Sequence, residues 1–364
     1  MASWSHSDLS QIANAPACGR GRADFHRPVG CAGPDGASAV FYTGRDDGHI
    51  HELRLRGGTW VHSDLWKQAG IADSAPKADA SPMACVTPDQ RISIAYVVEG
   101  KHVHALQIQE TSVSHLDVSA LAGGFADPIG PPPHFVRGDG VLAIYYANSS
   151  GSNRGLHQLA LSGGRWVDSN ITPQSQPPFS AIFKTAGFVR PGATASIIHP
   201  QDGLQEYALG LDGTWKKTNL LDGVSAPAPN PLRWPTAFIR ADGVPSIIYA
   251  DFTENLHELA FTGGRWTATA LTASASAPRL NGLAGPTAYV RADGVSAVVY
   301  CGENKRIQEL SLVDGRWRQA DLSGDANTDT FGFPFAYVRG DGVSSVVYVS
   351  GQDRHIHELS LAPV

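Results

Sequence analysis

The feature that most constrains this sequence is a unit of about 50 residues that occurs seven times. Its clearest copy, residues 285–322, contains four short apolar runs separated by polar turns. The runs are rich in Val, Leu, Ile, Tyr and Trp, and their length favours strands over helices. Asp293-Gly294 and Asp314-Gly315 separate two pairs of runs, and Asp-Gly supplies the positive φ that tight hairpin turns need. The unit therefore predicts a four-stranded antiparallel meander.

The first turn of this unit recurs along the whole chain at intervals of 48 to 54 residues, at Asp35, Asp89, Asp139, Gly192, Asp242, Asp293 and Asp341. The seven repeats occupy residues 28–65, 81–118, 131–171, 185–220, 234–271, 285–322 and 333–361. Four strands per unit at this period are typical of a β-propeller, in which each sheet buries its faces against its neighbours. The sequence predicts an all-β protein, a seven-bladed β-propeller of four-stranded antiparallel blades, with residues 1–364 as a single domain.

The two ends of the chain are complementary. The last repeat stops after its third strand, at Leu361, whereas the chain begins with Trp4-Ser-His-Ser-Asp8-Leu9. This beginning matches the fourth-strand pattern of residues 60–65, Trp-Val-His-Ser-Asp-Leu. We therefore expect residues 1–10 to supply the outermost strand of the seventh blade, which would leave no open strand edge there.

Composition excludes several classes of partner. The formal charge is −6 with both signs dispersed, which gives no support for a nucleic-acid partner. No apolar run approaches membrane-spanning length. The first ten residues lack the basic and apolar regions of a secretory signal, so the expected location is the cytoplasm, or the outside by a non-classical route. Four cysteines do not make a disulfide framework.

No catalytic motif is recognisable: the chain lacks a phosphate loop, a His-Glu-x-x-His and a nucleophile elbow. Cys31 and Cys85 share one first-strand position, which favours small buried hydrophobes and leaves a disulfide or metal pair as the alternative. An enzyme with one active site at the central channel stays an alternative. Its candidate residues are the irregular ones of the first four repeats, Cys31, Cys85, His26, His134 and His199, together with a set of arginines.

These arginines precede the first turn, at Arg137, Arg190, Arg240, Arg291 and Arg339. We interpret them as partners of the turn Asp or of loop carbonyls, with an anion-binding ring at the channel mouth as the alternative. A histidine recurs in the third strand at His51, His104, His157, His257 and His357, with Gln205 and Gln308 in the other two repeats. Metal ligands must converge on one ion, and residues on seven third strands are too far apart to do so. The histidines are therefore expected to pack or hydrogen-bond within their blades, and neither a metal nor another cofactor is indicated.

Two further positions are the candidate ligand-binding residues. A glutamate recurs in the third strand at Glu52, Glu206, Glu258, Glu309 and Glu358, and a tryptophan begins the fourth strand at Trp4, Trp60, Trp166, Trp215, Trp266 and Trp317. A carboxylate beside an aromatic ring suits a sugar, because hydroxyls bond to the acid and C–H groups pack on the ring. Repeat two carries Ala105 and Val113 instead, as expected if Glu and Trp form one unit. Alternatively, Trp anchors the outer edge of the blade and Glu bonds to backbone.

A tyrosine ends the second strand in six repeats, at Tyr42, Tyr96, Tyr146, Tyr249, Tyr300 and Tyr348, with His199 in the seventh. These side chains are expected to belong either to the core or to a pocket wall.

The succession Val-Tyr, polar loop, Ile-x-Glu-Leu and Gly-x-Trp resembles the fungal fucose-specific lectins of the Aleuria type and their bacterial relatives. The resemblance covers all seven repeats and is weakest in the second. It implies fucose pockets between adjacent blades, formed by an Arg, a Glu and aromatic side chains. The family Glu corresponds to the five glutamates above, and its Gly-x-Trp corresponds to Trp166, Trp266 and Trp317 and, less strictly, to Trp60 and Trp215.

The chain departs from these lectins in two respects. The family Arg lies twelve residues before Glu, where all seven repeats here carry a small residue: Ala39, Ser93, Ala143, Ser196, Ser246, Ala297 and Ser345. The fungal lectins have six blades, and seven is the number in the Photorhabdus-type lectins.

Together these observations favour a multivalent carbohydrate-binding protein with up to five or six weak sites between blades. Its expected partners are glycans or a small-molecule ligand, with fucose implied by the resemblance. Repeat two is expected to bind nothing. The alternatives are the channel enzyme and a protein-interaction scaffold.

Overall fold

The computed structural model describes residues 4–19, 27–98, 102–123, 131–148, 154–172, 184–281, 285–324 and 334–363. They contain seven four-stranded antiparallel sheets, which makes the fold an all-β, seven-bladed β-propeller. The chain divides into two compact units, Ser10–Phe183 and Met1–Leu9 with Lys184–Val364. The prediction of a single domain over residues 1–364 stays a prediction. In the part of the chain described, no helix has the length and apolar character needed to cross a membrane.

The strands are numbered in chain order from β1 (Ser5–Asp8). The unit Ser10–Phe183 holds blades one to three. Blade one consists of β2 (Val29–Ala32), β3 (Ser38–Thr43), β4 (Ile50–Arg56) and β5 (Thr59–Asp64). Blade two consists of β6 (Met83–Val86), β7 (Ile92–Val97), β8 (Val103–Gln109) and β9 (Ser112–Asp117). Blade three consists of β10 (His134–Val136), β11 (Leu142–Asn148), β12 (Gly155–Ser162) and β13 (Arg165–Asn170).

The other unit holds blades four to seven. Blade four consists of β14 (Ala186–Arg190), β15 (Ala193–His199), β16 (Gln205–Gly210) and β17 (Trp215–Asn219). Blade five consists of β18 (Thr236–Ile239), β19 (Pro245–Ala250), β20 (Leu256–Thr262) and β21 (Arg265–Ala270). Blade six consists of β22 (Thr287–Val290), β23 (Ser296–Cys301), β24 (Ile307–Val313) and β25 (Arg316–Asp321). Blade seven consists of β26 (Phe335–Val338), β27 (Ser344–Val349), β28 (Ile356–Leu361) and β1.

Blade seven is built from both ends of the chain, as the sequence predicted. Strand β1 pairs antiparallel with β28, with Ser5 opposite Ser360 and Asp8 opposite His357. Because β1 completes the sheet, β28 is an inner strand rather than an open edge.

The first turn of each blade depends on a residue with positive φ. Gly294 and Gly342 adopt φ values of +81° and +79° in blades six and seven. A side chain disfavours this conformation, which explains the recurrent Asp-Gly. In blade two, Gln90 takes the same position with φ +62°, so the most divergent repeat keeps the turn without the glycine.

Four one-turn helices, which the sequence analysis did not predict, follow fourth strands directly: α1 (Leu9–Ile12), α2 (Leu65–Gln68), α3 (Val118–Leu121) and α4 (Leu271–Ser274). Two of them begin at an aspartate whose carboxylate caps the helix. Asp64 accepts a hydrogen bond from the Lys67 amide (3.1 Å), and Asp117 accepts one from the Ala120 amide (2.9 Å).

The core lies between successive blades. The tyrosines at the ends of the second strands are buried there, so they belong to the core rather than to a pocket wall. Three of the hydroxyls fasten the preceding connector: Tyr42 donates to the Pro16 carbonyl (3.0 Å), Tyr249 to the Pro227 carbonyl (3.0 Å) and Tyr300 to the Pro278 carbonyl (2.7 Å).

Candidate ligand site between neighbouring blades

Strand register places the Glu and the Trp of one repeat on opposite faces of their blade. In blade six, Glu309 lies opposite Val299, and Trp317 lies opposite Leu312. Directly opposed residues share a face and successive residues alternate, so Glu309 and Leu312 face opposite ways. Tyr300 follows Val299 and therefore lies on the Trp face. We call these the Glu face and the Trp face.

The Glu face of one blade packs against the Trp face of the next. The Trp317 indole N–H of blade six donates to Glu258 Oε2 of blade five at 3.0 Å. Trp266 of blade five packs against an apolar cluster that includes the Glu face of blade four. Trp4 of blade seven packs against the cluster around Tyr289 of blade six. A Glu therefore meets the Trp of the following repeat, not its own.

This offset corrects the interpretation of repeat two. Val113 packs in the cluster between blades one and two, on the side of Glu52. Ala105 packs in the cluster between blades two and three, together with Trp166. The two losses belong to different interfaces, so the hypothesis that one Glu–Trp unit disappeared from repeat two is wrong. Its expected inability to bind ligand stays a prediction.

An arginine lies beside each of these glutamates, although the sequence comparison found only small residues at the expected position. Arg291 donates to Glu309 at 3.0 Å, and Arg190 donates twice to Glu206, at 2.6 and 2.9 Å. Arg240 with Glu258 and Arg339 with Glu358 are each 3.3 Å apart. In blades three, five, six and seven, the arginine before the first turn also bonds to the turn aspartate. This confirms the interpretation of these arginines as partners of the turn Asp.

Blades one and two supply the guanidinium from other positions. In blade one, Arg54 of the third strand donates to Glu52 (2.9 Å) and to the turn residue Asp35 (3.0 Å). In blade two, Arg91 follows the turn and donates to Gln107 at 3.0 Å. Each of the seven blades therefore holds a guanidinium against its third strand, although three sequence positions provide it.

The small residues of the second strand make room for this pair. All seven are fully buried, and Ser246 and Ser345 lie on the Glu face. Their hydroxyls donate to Glu258 (2.7 Å) and Glu358 (2.6 Å). The carboxylates therefore bond to side chains in their own blade, rather than to backbone as one hypothesis held.

Burial governs the electrostatics of the site. The five glutamates are only 2–3% exposed, and burial raises the pKa of Glu309 while Arg291 partly offsets that rise. Burial also acts to lower the pKa of the Arg291 guanidinium, but its bonds to Asp293 and Glu309 outweigh this, so that pKa is raised. The solvent-facing groups are instead the first-strand arginines, 13–18% exposed, and the turn aspartates, 30–49% exposed. A ligand would therefore meet the Arg–Asp pair first, with the Glu beneath it.

The candidate tryptophans differ in exposure. Trp60, Trp166 and Trp317 are buried, at 6–8% exposed, whereas Trp4, Trp215 and Trp266 are half-buried. The sequence analysis recognised the Trp and Glu positions but missed the Arg as the partner of Glu. The recurrent Arg-x-Asp-Gly at the first turn was the available signal.

Among the residues of the enzyme alternative, the histidines are neutral and buried and the cysteines are neutral and half-buried. Burial raises the pKa of Cys31 to about 11 and raises that of Cys85 further, and both are free thiols. Burial lowers the pKa of His134 to about 4 and that of His199 to about 3. His26 lies outside the described residues. None of the four described groups is poised for acid–base or nucleophilic chemistry at neutral pH.

The third-strand histidines bond within their own blades, which confirms the structural interpretation. His257 pairs with Asp251 (2.9 Å) and His157 with Asp168 (3.1 Å). In three other blades, a second and a third histidine join the histidine–aspartate pair, which the third-strand position alone did not predict.

Comparison with known proteins shows that this chain resembles others in structure but not in sequence. No protein-family model matches the sequence, and no curated protein matches it. The structure is similar to that of a mutant of AofleA from Arthrobotrys oligospora in which three arginines are replaced by alanine. The TM-score is 0.52 at 14% identity, over 88% of this chain and 89% of that one.

It is also similar to the fucose-recognising, six-bladed Aleuria aurantia lectin, with a TM-score of 0.50 at 14% identity over 80% of this chain and 93% of that one. A mutant of the same lectin in complex with Fucα1-6GlcNAc gives 0.50 at 12% identity, over 81% and 94%. At such identities the likeness establishes that the chain shares the β-propeller fold of these lectins.

Proposed function

We propose that this protein is a multivalent carbohydrate-binding protein whose sugar sites lie between neighbouring blades. The observation that carries the proposal is the set of groups at the interface of blades five and six. There the Glu258 carboxylate bonds to Arg240 and Ser246 of its own blade and to the Trp317 indole of the next.

The chemistry of this set suits a sugar. Arg240 uses three N–H groups, two toward Asp242 and one toward Glu258, and a guanidinium has five. Two N–H groups stay available to donate to hydroxyl oxygens, and the carboxylate of Asp242, 49% exposed, can accept from hydroxyls. At the interfaces of blades four with five and six with seven, the half-buried indoles of Trp266 and Trp4 add an apolar surface for C–H groups, as in sites that combine an apolar wall with a few polar groups.

Three interfaces in the unit that holds blades four to seven carry all three groups. They are Arg190, Glu206 and Trp266; Arg240, Glu258 and Trp317; and Arg291, Glu309 and Trp4. In the other unit, the interface of blades one and two has Val113 instead of Trp, and that of blades two and three has Ala105 instead of Glu. We therefore propose three complete sites in the unit that holds blades four to seven. Several weak sites raise avidity for a multivalent glycan without any new contact.

Fucosylated glycans are the ligand class that the proposal names first. The Aleuria aurantia lectin, which shares the fold, has been solved with Fucα1-6GlcNAc and with a methyl fucoside. In this chain the guanidinium comes from the end of the first strand rather than from the second strand, so the contacts to the sugar would differ in detail.

A glycan array followed by calorimetric titration tests the proposal. The wild-type chain should bind one sugar class with about three sites per chain. Glu258→Gln should remove one site, because Glu258 accepts from Arg240 and Ser246 at one oxygen and from Trp317 at the other, whereas Gln has a single acceptor oxygen.

Glu52→Gln is the matched control. It makes the same change at an equally buried glutamate, but at an interface that lacks Trp, so binding should be unchanged. A blank array would overturn the proposal and favour the interaction scaffold. Equal losses in the two variants would also overturn it, since they would assign the Glu a role in folding alone.

A further inference from the structure

A second recurrent motif does not belong to the proposed sugar site. In three blades, a His-x-His that begins one residue before the third strand faces a His-x-Asp on the fourth strand: His49 and His51 with His62 and Asp64, His102 and His104 with His115 and Asp117, and His355 and His357 with His6 and Asp8. Blade five has only His257 of this set, with Asn255, Ala268 and Ala270 at the other positions. The propeller fold therefore does not require the cluster.

Blade seven brings four donor atoms together. His355 Nδ1 lies 2.9 Å from Asp8 Oδ2 and 3.9 Å from Asp353 Oδ2. His357 Nε2 lies 3.8 and 3.3 Å from the same two oxygens, and all four residues have ligand atoms within 4.8 Å of one another. Four ligands at about 2.0–2.1 Å from a tetrahedral Zn²⁺ would be about 3.3 Å apart. The observed separations bracket this value.

The Nδ1 atom of His357, which does not face the aspartates, has a hydrogen-bond partner of its own, as the second nitrogen of a metal-bound imidazole commonly does. His357 Nδ1 lies 2.9 Å from His6 Nε2, and the two rings are stacked. If the Nδ1–H donates to His6, the Nε2 lone pair of His357 points at the two aspartates. An imidazole that ligates a metal commonly donates its other N–H to such a partner. The same pair occurs in His51 with His62 (2.9 Å) and in His104 with His115 (2.8 Å).

The charges of the cluster favour a cation. Two carboxylates and a lone pair that converge within 4.8 Å repel one another, and the Asp8 and His357 side chains are only 17% and 11% exposed. A divalent ion would offset both charges. Imidazole with carboxylate is a donor set that suits Zn²⁺ and its first-row neighbours.

We propose that blade seven binds a divalent transition-metal ion of the Zn²⁺ class through His355, His357, Asp8 and Asp353. The ion would join strand β1 to β28 and to the loop before it, and so link the two ends of the chain. This proposal is independent of the sugar sites, because its residues lie at the opposite end of the blade from the first turn.

Blades one and two carry three-donor versions, Asp47, His51 and Asp64 in one and His102, His104 and Asp117 in the other. In blade one, the Lys77 ammonium donates to His49 Nε2 at 3.1 Å. The proton of His49 is then on Nδ1, which donates to Asp64 (2.9 Å), so His49 offers no lone pair to an ion. These two sets would bind the same ion more weakly.

The test is a zinc titration of the full chain, first stripped of metal with a chelator, against a chromophoric competitor. One tight site per chain is expected in the wild type. His357→Gln should weaken it by about 100-fold or more, and His6→Ala by about 10- to 100-fold. Gln occupies this strand position in blades four and six, at Gln205 and Gln308, so the substitution is compatible with the fold.

His257→Gln is the matched control, since it changes the same strand position in a blade where Asp251 is the histidine's one acidic partner, and it should leave zinc binding unchanged. Co²⁺ should give the visible absorption of a tetrahedral site in the wild type and lose it in His357→Gln. Zinc should also raise the melting temperature of the wild type more than that of the variant, because it binds only the folded state. Absence of a tight site, or an equal loss in the control, would overturn the proposal.

Discussion

Replacing Arg291 by alanine should expose how strongly the fold depends on the buried pairs. Arg291 Nη1 lies 3.0 Å from Glu309 Oε1, and Glu309 is 2% exposed. Removing one partner of a buried pair costs about 3–5 kcal/mol, because the other charge stays buried alone. An unfolding entropy of roughly 2.1 cal/mol/K per residue gives about 0.76 kcal/mol/K for 364 residues. In a single melting transition, the variant should therefore melt about 4–7 °C below the wild type.

The loss should depend on pH in a definite direction. Burial already raises the pKa of Glu309, and loss of Arg291 should raise it further. A carboxyl group with a raised folded-state pKa stabilises the fold below its unfolded pKa, and that stability is lost as pH rises through the folded pKa. The deficit of Arg291→Ala should therefore be largest at pH 7–8 and shrink as acid protonates Glu309.

Calorimetric melts at several pH values, supported by urea unfolding, would measure both effects. Arg316→Ala removes an exposed arginine from the same blade and should stay within about 0.5 kcal/mol of the wild type. Adding Glu309→Gln to Arg291→Ala should restore most of the lost stability, because the one charge then left without Arg291 is Asp293, which is 30% exposed. A variant as stable as the wild type at pH 7.5, or a deficit that grows in acid, would refute the reasoning.

Three further outcomes are expected. Trp317→Phe removes the N–H that donates to Glu258, and urea melts should show a loss of about 1.5–3 kcal/mol, as for a bond to a charged group; an unchanged midpoint would contradict the bond. Deleting residues 1–8 leaves β28 as an open edge, so light scattering should detect association, whereas a stable monomer would argue against the closing role of β1. With the pKa of Cys31 at about 11 and none of the four cysteines in a disulfide, a thiol reagent at pH 8 should react slowly with the native chain and rapidly once urea unfolds it; fast native reaction would contradict the burial.

Most of the fold could be predicted from the sequence because its signals are local. A turn such as Asp341-Gly342 marks where a strand ends, and alternating apolar runs mark the strands themselves. The strand over residues 5–8 was also predictable, since its Trp-x-x-x-Asp-Leu pattern repeats that of other fourth strands. The one-turn helices were not, because four residues such as Leu65–Gln68 carry no helical periodicity.

The candidate site was less predictable than the fold, because the sequence position of a long side chain does not determine where its polar end group lies. Arg54 and Arg291 come from different strands, yet both reach the glutamate of their blade. Strand register, which places Glu309 and Trp317 on opposite faces, also cannot be inferred from a short motif. The histidine clusters were not predictable from the third-strand histidines alone, which are too far apart to share one ion, because each cluster is completed by the fourth strand of its own blade.

The offset between Glu and Trp has a consequence for how such a chain can change its length. A repeat contains halves of two interfaces, its Glu for the one that follows and its Trp for the one before. Excision of one whole repeat, for example residues 285–322, would bring the half that contains Glu258 against the half that contains Trp4. The new interface would combine the Glu of one original interface with the Trp of another. It would still contain both residues, and the number of interfaces would fall by one. The number of Glu–Trp interfaces can therefore vary by recombination between repeats without any of them being broken.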